Sequence, residues 1–219
     1  MLVPLIPVKR LADAKGRLAP WLGPIERRLL AIAMLEDVLG AVAATDGTGT
    51  PVVVSPDREV WRRAEALGCR VVEEPQDAGD DLNAALRLAA GAARPGDAEG
   101  LLVVAADLPL ADPAALGRVL AALAEAPVVV VPSAEGSGTN VLAWRRAAGF
   151  EPAFGSGSAA RHLAVDGAVR LDEPALAADV DTVADLAAVL DRLAPGSVTA
   201  RRVRDLKLAD RLGREQTRS

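Results

Sequence analysis

Short valine- and leucine-rich runs recur along the chain, separated by stretches with helical spacing. The runs are MLVPLIPV at 1–8, PVVVS at 51–55, RVVEE at 70–74, LLVVAAD at 101–107 and PVVVVP at 127–132. Most are apolar at consecutive positions rather than alternate ones, so both faces of each strand must be covered. The helical stretches are 23–44 (GPIERRLLAIAMLEDVLGAVAA), 57–68 (DREVWRRAEALG), 80–93 (DDLNAALRLAAGAA) and 112–126 (DPAALGRVLAALAEA). Pro24 stands near the start of the first, Gly68 closes the second, and Asp112 with Pro113 forms a cap and first-turn pair for the last. Strands alternating with helices in this way predict an α/β domain with a mostly parallel sheet sandwiched between helices.

Beyond residue 132 the pattern changes. TNVLAWRR (139–146) reads as a further strand, followed by a glycine loop, a helix near 158–166 and a helix at 182–193. The 219 residues are divided here into one domain, 1–195, and a helical tail, 196–219. The tail carries seven Lys or Arg against three Asp or Glu, whereas the remainder carries 18 against 27. An acidic body argues against nucleic acid as a partner. The tail reads as a solvated surface helix, or as a partner or subunit contact. The opening apolar stretch is short and broken by Pro4 and Pro7, and no run approaches the ~20 residues of a membrane span. The sequence is therefore expected to be soluble and cytoplasmic, without a membrane partner.

Absences narrow the chemistry further. One cysteine, Cys69, and one histidine, His162, exclude an internal disulfide and any multi-Cys or multi-His metal site. A metal would have to be held by oxygen, which favours Mg²⁺ or Mn²⁺. A Ser-His-Asp hydrolase would need His162, yet no G-x-S-x-G elbow follows a strand.

In open α/β sheets, ligands bind at the carboxyl ends of the strands. The segments of interest are therefore 8–19, 55–58, 74–83, 107–112, 132–140 and 154–158. In the first, PVKRLADAKGRLAP, Lys9, Arg10, Lys15 and Arg17 crowd one loop without a dinucleotide or Walker glycine signature. Such a loop suits a polyphosphate, and equally an exposed basic turn. Asp107, at the tip of the fourth run, can enter the crevice or cap an Asx turn. Asp179 and Asp181 project to the same face if that stretch is extended, although Asp181 could instead cap the following helix. Together with Asp107 they are enough to hold one or two hard cations. GSGTNVLAW and FGSGSAARH supply glycine flexibility and hydroxyls; Ser158 falls where a helix should begin, a place suited to phosphate or carboxylate. His162 falls inside that helix and reads as structural.

PVKRLADAKGRLAP, AADLPL, GTNVLAW, FGSGSAARH and DVDT, in this order and spacing, resemble the guanylyltransferases of deazaflavin coenzyme (coenzyme F-420) biosynthesis. This is the phosphoenolpyruvate / 2-phospho-L-lactate guanylyltransferase family, and the resemblance covers roughly residues 1–193. Gly16 stands where that family's loop would carry a hydroxyl, and the glycine pair of sugar-nucleotide and molybdopterin nucleotidyltransferases is missing. The resemblance implies a three-layer, Rossmann-like nucleotidyltransferase fold with a mixed sheet. By similarity, Asp107, Asp179 and Asp181 would bind Mg²⁺, and Thr139, Gly155 and Ser158 would hold a phosphoenolpyruvate-like acceptor. Lys15 and Arg17 would face the GTP phosphates with Asp107 at the reacting centre; Lys9, Ser55 and Asn83 would complete the nucleotide site.

The implied reaction moves GMP from GTP to phosphoenolpyruvate, releasing pyrophosphate and forming enolpyruvoyl-diphospho-guanosine. The Ala-, Arg- and Gly-heavy usage of a GC-rich bacterial genome favours phosphoenolpyruvate over 2-phospho-L-lactate, 3-phosphoglycerate or a sugar phosphate. A labile product would suit coupling to a downstream transferase, and the basic tail leaves a homodimer open. From another class, the chain could be a non-catalytic nucleotide-binding regulator, although such a module has no need of a three-carboxylate metal clamp.

Overall fold

A computed structural model describes residues 1–75, 81–93 and 99–216. The start of the expected 80–93 helix, the middle of the 74–83 loop and the last residues of the tail lie outside that range. Seven strands form one sheet: β1 (Leu2–Pro7), β2 (Val52–Ser55), β3 (Arg70–Glu73), β4 (Gly100–Val104), β5 (Val128–Pro132), β6 (Thr139–Arg145) and β7 (Val169–Arg170). Their order is β3-β2-β1-β4-β6-β5-β7, with β6 antiparallel to both of its neighbours and every other pairing parallel. Successive parallel strands need crossover helices, whereas β5 and β6 are joined by the short turn 133–138, and that turn reverses β6. The reversal has a functional consequence. β6 begins where β4 ends, pairing Val141 with Val104, so Thr139 and Asn140 arrive at the crevice edge of the sheet.

The helices are α1 (Pro24–Ala43), α2 (Arg58–Ala66), α3 (Leu82–Ala92), α4 (Pro113–Glu125), α5 (Ser158–Leu163), α6 (Pro174–Ala177), α7 (Val183–Val189), α8 (Val198–Asp205) and α9 (Leu208–Gln216). Their starts follow local chemistry. The Asp57, Asp81 and Asp112 carboxylates each accept backbone N–H bonds from the first turns of α2, α3 and α4. β7 and α6 were not foreseen; each is too short to show a period.

Alternation along the strands sends Ile6, Val53, Leu102, Val104 and Val129 to one face, against α1, α2 and α4. Leu5, Val54, Leu101, Val103 and Val130 face the other side, against α3 and the aromatic rings of Trp144 and Phe154. α1 is buried on two sides, which accounts for its apolar residues lying all round it. Its outer side, with Leu30 and Met34, packs with Leu18, Leu22, Leu186, Val203 and Leu208. Each such side chain contributes roughly 1.5–3 kcal/mol by leaving water.

The basic tail is thus folded against the body rather than solvated all round. The Asp37 carboxylate of α1 accepts the N–H groups of Val198 and Thr199 at 2.7 and 2.8 Å, capping α8 from a neighbouring helix. Arg211 on α9 pairs with Glu26 at 2.7 Å and lies 4.9 Å over the Trp21 ring. No helix among the described residues is long and apolar enough to cross a membrane.

Candidate active site

The loop after β1 is anchored before it presents any charge. Val8 N–H bonds the Val54 carbonyl at 2.9 Å, Leu11 N–H bonds the Asp57 carboxylate at 3.2 Å, and Arg27 donates to the Ala14 carbonyl at 3.0 Å. Lys15 then takes a left-handed conformation (φ 54°, ψ 42°), unusual for a side-chain-bearing residue. That conformation costs about 1–3 kcal/mol and persists where surrounding contacts over-determine it. Here they do. The Lys15 ammonium lies 2.5 Å from Asp107 Oδ2 and 3.0 Å from Asp181 Oδ1, and its side chain is only 7% exposed. Burial disfavours its charge, but attraction to Asp107 and Asp181 and the hydrogen bonds to both outweigh burial and raise its pKa above the ordinary lysine value.

Asp107 sits beyond the end of β4, which stops at Val104 rather than running to 107 as expected. Its carbonyl accepts the Val180 N–H at 3.2 Å. Val180 is wholly buried, so the flanking Asp179 and Asp181 turn the other way, as an extended stretch requires. The cap of α7 is Thr182, in a reciprocal box with Asp185, and Asp181 is left to face Lys15. Asp179 bonds Asn140 Nδ2 at 2.9 Å. Burial pushes its carboxyl up; the Asn140 hydrogen bond opposes this, while the neighbouring Asp107 and Asp181 charges add to it.

Lys9, Lys15, Arg17, Asp107 and Asp181 line one cleft of about 630 Å³ at the carboxyl edge of the sheet, with Leu82, Ala105 and Ala106 on its apolar walls. A second, neutral cluster gathers around Thr139, whose neighbour Asn140 bonds Asp179. Thr139 Oγ1 lies 3.0 Å from His162 Nδ1 and accepts from Ser158 Oγ at 3.2 Å. Gly155, with φ 122°, shapes the loop leading into α5, a conformation that only glycine takes without strain.

Two expected nucleotide contacts sit elsewhere. Ser55 is fully buried; its hydroxyl accepts the Asp57 N–H and its carbonyl the Trp61 indole N–H, so it shapes the β2–α2 turn. Asn83 exchanges both amide groups with the backbone of Phe154, at 3.2 and 2.8 Å, and so holds the Gly155 loop to α3. These bonds give both residues a structural role, and neither lines the cleft around Lys15.

Asn140 was missed. It is buried, and its amide donates to the Leu176 and Ala177 carbonyls as well as to Asp179, tying β6 to that carboxylate. The available signal was a single amide within an otherwise apolar strand, TNVLAW.

Residues 2–196 match the family described as guanylyl transferase CofC like. The chain belongs to this family. Among curated relatives, this guanylyl transferase is 43% identical over 207 residues to a phosphoenolpyruvate guanylyltransferase of Nocardia farcinica, covering 92% of this chain and 90% of that one. It is 39% identical over 189 residues to the protein of the same name from Sphaerobacter thermophilus, covering 84% and 90%. The fold is shared with a nucleotidyl transferase from Methanothermobacter thermautotroptrophicus (TM-score 0.68, 20% identity, 88% of this chain and 97% of that one). A Mycobacterium tuberculosis protein solved as a complex with manganese shares it too (TM-score 0.54, 19% identity, 88% and 100%).

No three His, Cys, Asp or Glu side chains among the described residues are gathered closely enough to hold a metal by themselves. The guanylyl transferase does, however, already place one cation, the Lys15 ammonium, between two carboxylates. Mg²⁺ is commonly held by one or two carboxylates together with substrate phosphate oxygens and water. The donor set fits that pattern.

Proposed function

We propose that the protein transfers GMP from GTP to phosphoenolpyruvate in the cleft between the Lys15 loop and β6. An ionised phosphate oxygen of the acceptor attacks the α-phosphorus of GTP in line; the new P–O bond forms as pyrophosphate leaves with the electron pair of the bond that breaks. The acceptor phosphate is already deprotonated at neutral pH, so no side-chain nucleophile or strong base is required. The barrier is the approach of two polyanions. Lys15 and Arg17, with Lys9 further along the loop, neutralise the triphosphate, and Thr139, Gly155 and Ser158 seat the acceptor. A divalent cation, Mg²⁺ in this reading, would be held by Asp107 and Asp181 together with substrate phosphate oxygens, with Asp179, oriented by Asn140, adding its charge from beside them. When bound it supplies charge neutralisation and alignment at both phosphates.

The carrying observation is the Lys15 ammonium between Asp107 and Asp181 on the wall of the cleft. It joins a phosphate-directed cation to a metal-directed pair of anions at one point. The test is pyrophosphate release from GTP with Mg²⁺ and each candidate acceptor in turn. Phosphoenolpyruvate should give the highest kcat/KM. Faster release with 2-phospho-L-lactate or 3-phosphoglycerate would reassign the acceptor, and no release with any of them would remove the reaction.

A further inference from the structure

His162 is the only histidine in the chain and is wholly buried. The rings of Phe150 and Phe154 meet it edge-on, with centroids 5.8 and 5.0 Å away. Its hydrogen bonds determine where its proton resides. Nε2 lies 3.0 Å from the Ala153 backbone nitrogen, and an amide N–H can only donate, so Nε2 presents a lone pair. Burial, reinforced by the adjacent Arg161 charge, pushes the imidazole pKa down to about 4, so the ring is neutral near pH 7. A neutral imidazole with a bare Nε2 carries its proton on Nδ1.

Nδ1 therefore donates to Thr139 Oγ1, 3.0 Å away. Ser158 Oγ donates to the same oxygen at 3.2 Å. A hydroxyl has two acceptor positions and one proton. Both acceptor positions on Thr139 are filled from within the protein, and Thr139 is only partly buried. Its own proton is the group left to offer.

We propose that His162 is a positioning residue: through its Nδ1–H bond to Thr139 it makes that hydroxyl an obligate donor toward an anionic, phosphate- or carboxylate-bearing acceptor. A ligand presenting a donor at that point meets another donor and is rejected, because one polar group is then left unpaired. The same ring joins the Gly155 loop to β6, since Nε2 holds Ala153 while Nδ1 holds Thr139. Arg161 braces the loop from outside by donating to the Ala153 and Ser156 carbonyls. This inference rests on the reading of Thr139 and Ser158 as acceptor-binding residues.

The test has two arms, both on the full chain. A single histidine gives a single imidazole spin system in a long-range ¹H–¹⁵N spectrum of uniformly labelled protein. The expected pattern is the Nδ1–H tautomer at pH 7, unchanged at pH 5; an Nε2–H tautomer or an imidazolium at pH 6 would overturn the proposal. In the kinetic arm, pyrophosphate release is followed with GTP and phosphoenolpyruvate. Thr139→Val and His162→Gln should raise the acceptor KM about 10- to 100-fold, the loss expected for a hydrogen bond to a charged group, with the GTP KM unchanged. His162→Asn, whose shorter side chain brings an amide N–H to the place of Nδ1, should restore most of that loss. Equal KM values for the Asn and Gln variants, or an unchanged KM in Thr139→Val, would sink the idea. If wild-type protein shows the Nδ1–H tautomer yet releases no pyrophosphate with phosphoenolpyruvate, the acceptor assignment fails and the proton placement stands.

Discussion

The two halves of the candidate site solve different electrostatic problems. Around Lys15 the contacts are ionic and drawn from distant parts of the sequence: one ammonium, two carboxylates, and a left-handed backbone between them. The groups hydrogen-bonded to Thr139 are neutral, and direction is set by proton placement on His162, Ser158 and Thr139. The ionic half holds a counter-charge that a metal and phosphates would have to displace or share. The neutral half is organised in advance and asks little rearrangement of an incoming anion. A site that must bring two polyanions together gains from this division, since only one side then has to redistribute charge.

Substitutions can break the contrast at either end. Asp107→Asn removes a carboxylate from the ionic half and should lower transfer about 10²–10³-fold or more with the melting temperature preserved. Near-normal turnover in that variant would end the metal assignment. Lys15→Gln should cost about 10²-fold in transfer. In nucleotide-free protein it should also tighten Mn²⁺ binding about tenfold, because no ammonium then competes for Asp107 and Asp181; unchanged Mn²⁺ affinity would show that the two cations do not share a place.

The neutral half is tested by pH. The folded pKa of His162, about 4, lies below the unfolded value of 6.5. The unfolded chain therefore binds the proton first, and the contribution of His162 to stability is complete above pH 6.5 and lost as pH falls toward 4. It amounts to about 3 kcal/mol, read as the difference between wild-type and His162→Asn urea midpoints across that window. Parallel pH profiles for the two proteins would contradict a neutral buried imidazole. Smallest in effect, Ser158→Ala should raise the acceptor KM about tenfold and leave the GTP KM in place; the reverse pattern would reassign the residue.

The sheet and its helices were legible because burial on two faces leaves continuous apolar runs, and because Asp112 and Pro113 announce a helix start in the residues themselves. Strand order and the reversal of β6 were not, since a period records which face is buried and not which neighbour pairs. Asp107, Asp179 and Asp181 could be nominated from their places after strands, but the choice between cap and crevice needed the third dimension. Thr182, one residue on, turned out to cap α7. Ser55 and Asn83 show the converse: a polar residue at a strand end or helix start looks alike whether it meets a ligand or a turn. Asn140 and His162 carry no local signal of what they join, because their partners lie far along the chain.

The packing of α8 and α9 beneath the Lys15 loop bears on the order of events during synthesis. The loop is synthesised well before α8 and α9, yet Leu18 and Leu22 at its base pack with Val203 and Leu208, and Trp21 lies under Arg211. Nascent chains halted before α8 would carry every charged residue of the cleft and still lack the surface that seats them. Enzymatic competence would then come late, so prematurely terminated products would not consume GTP.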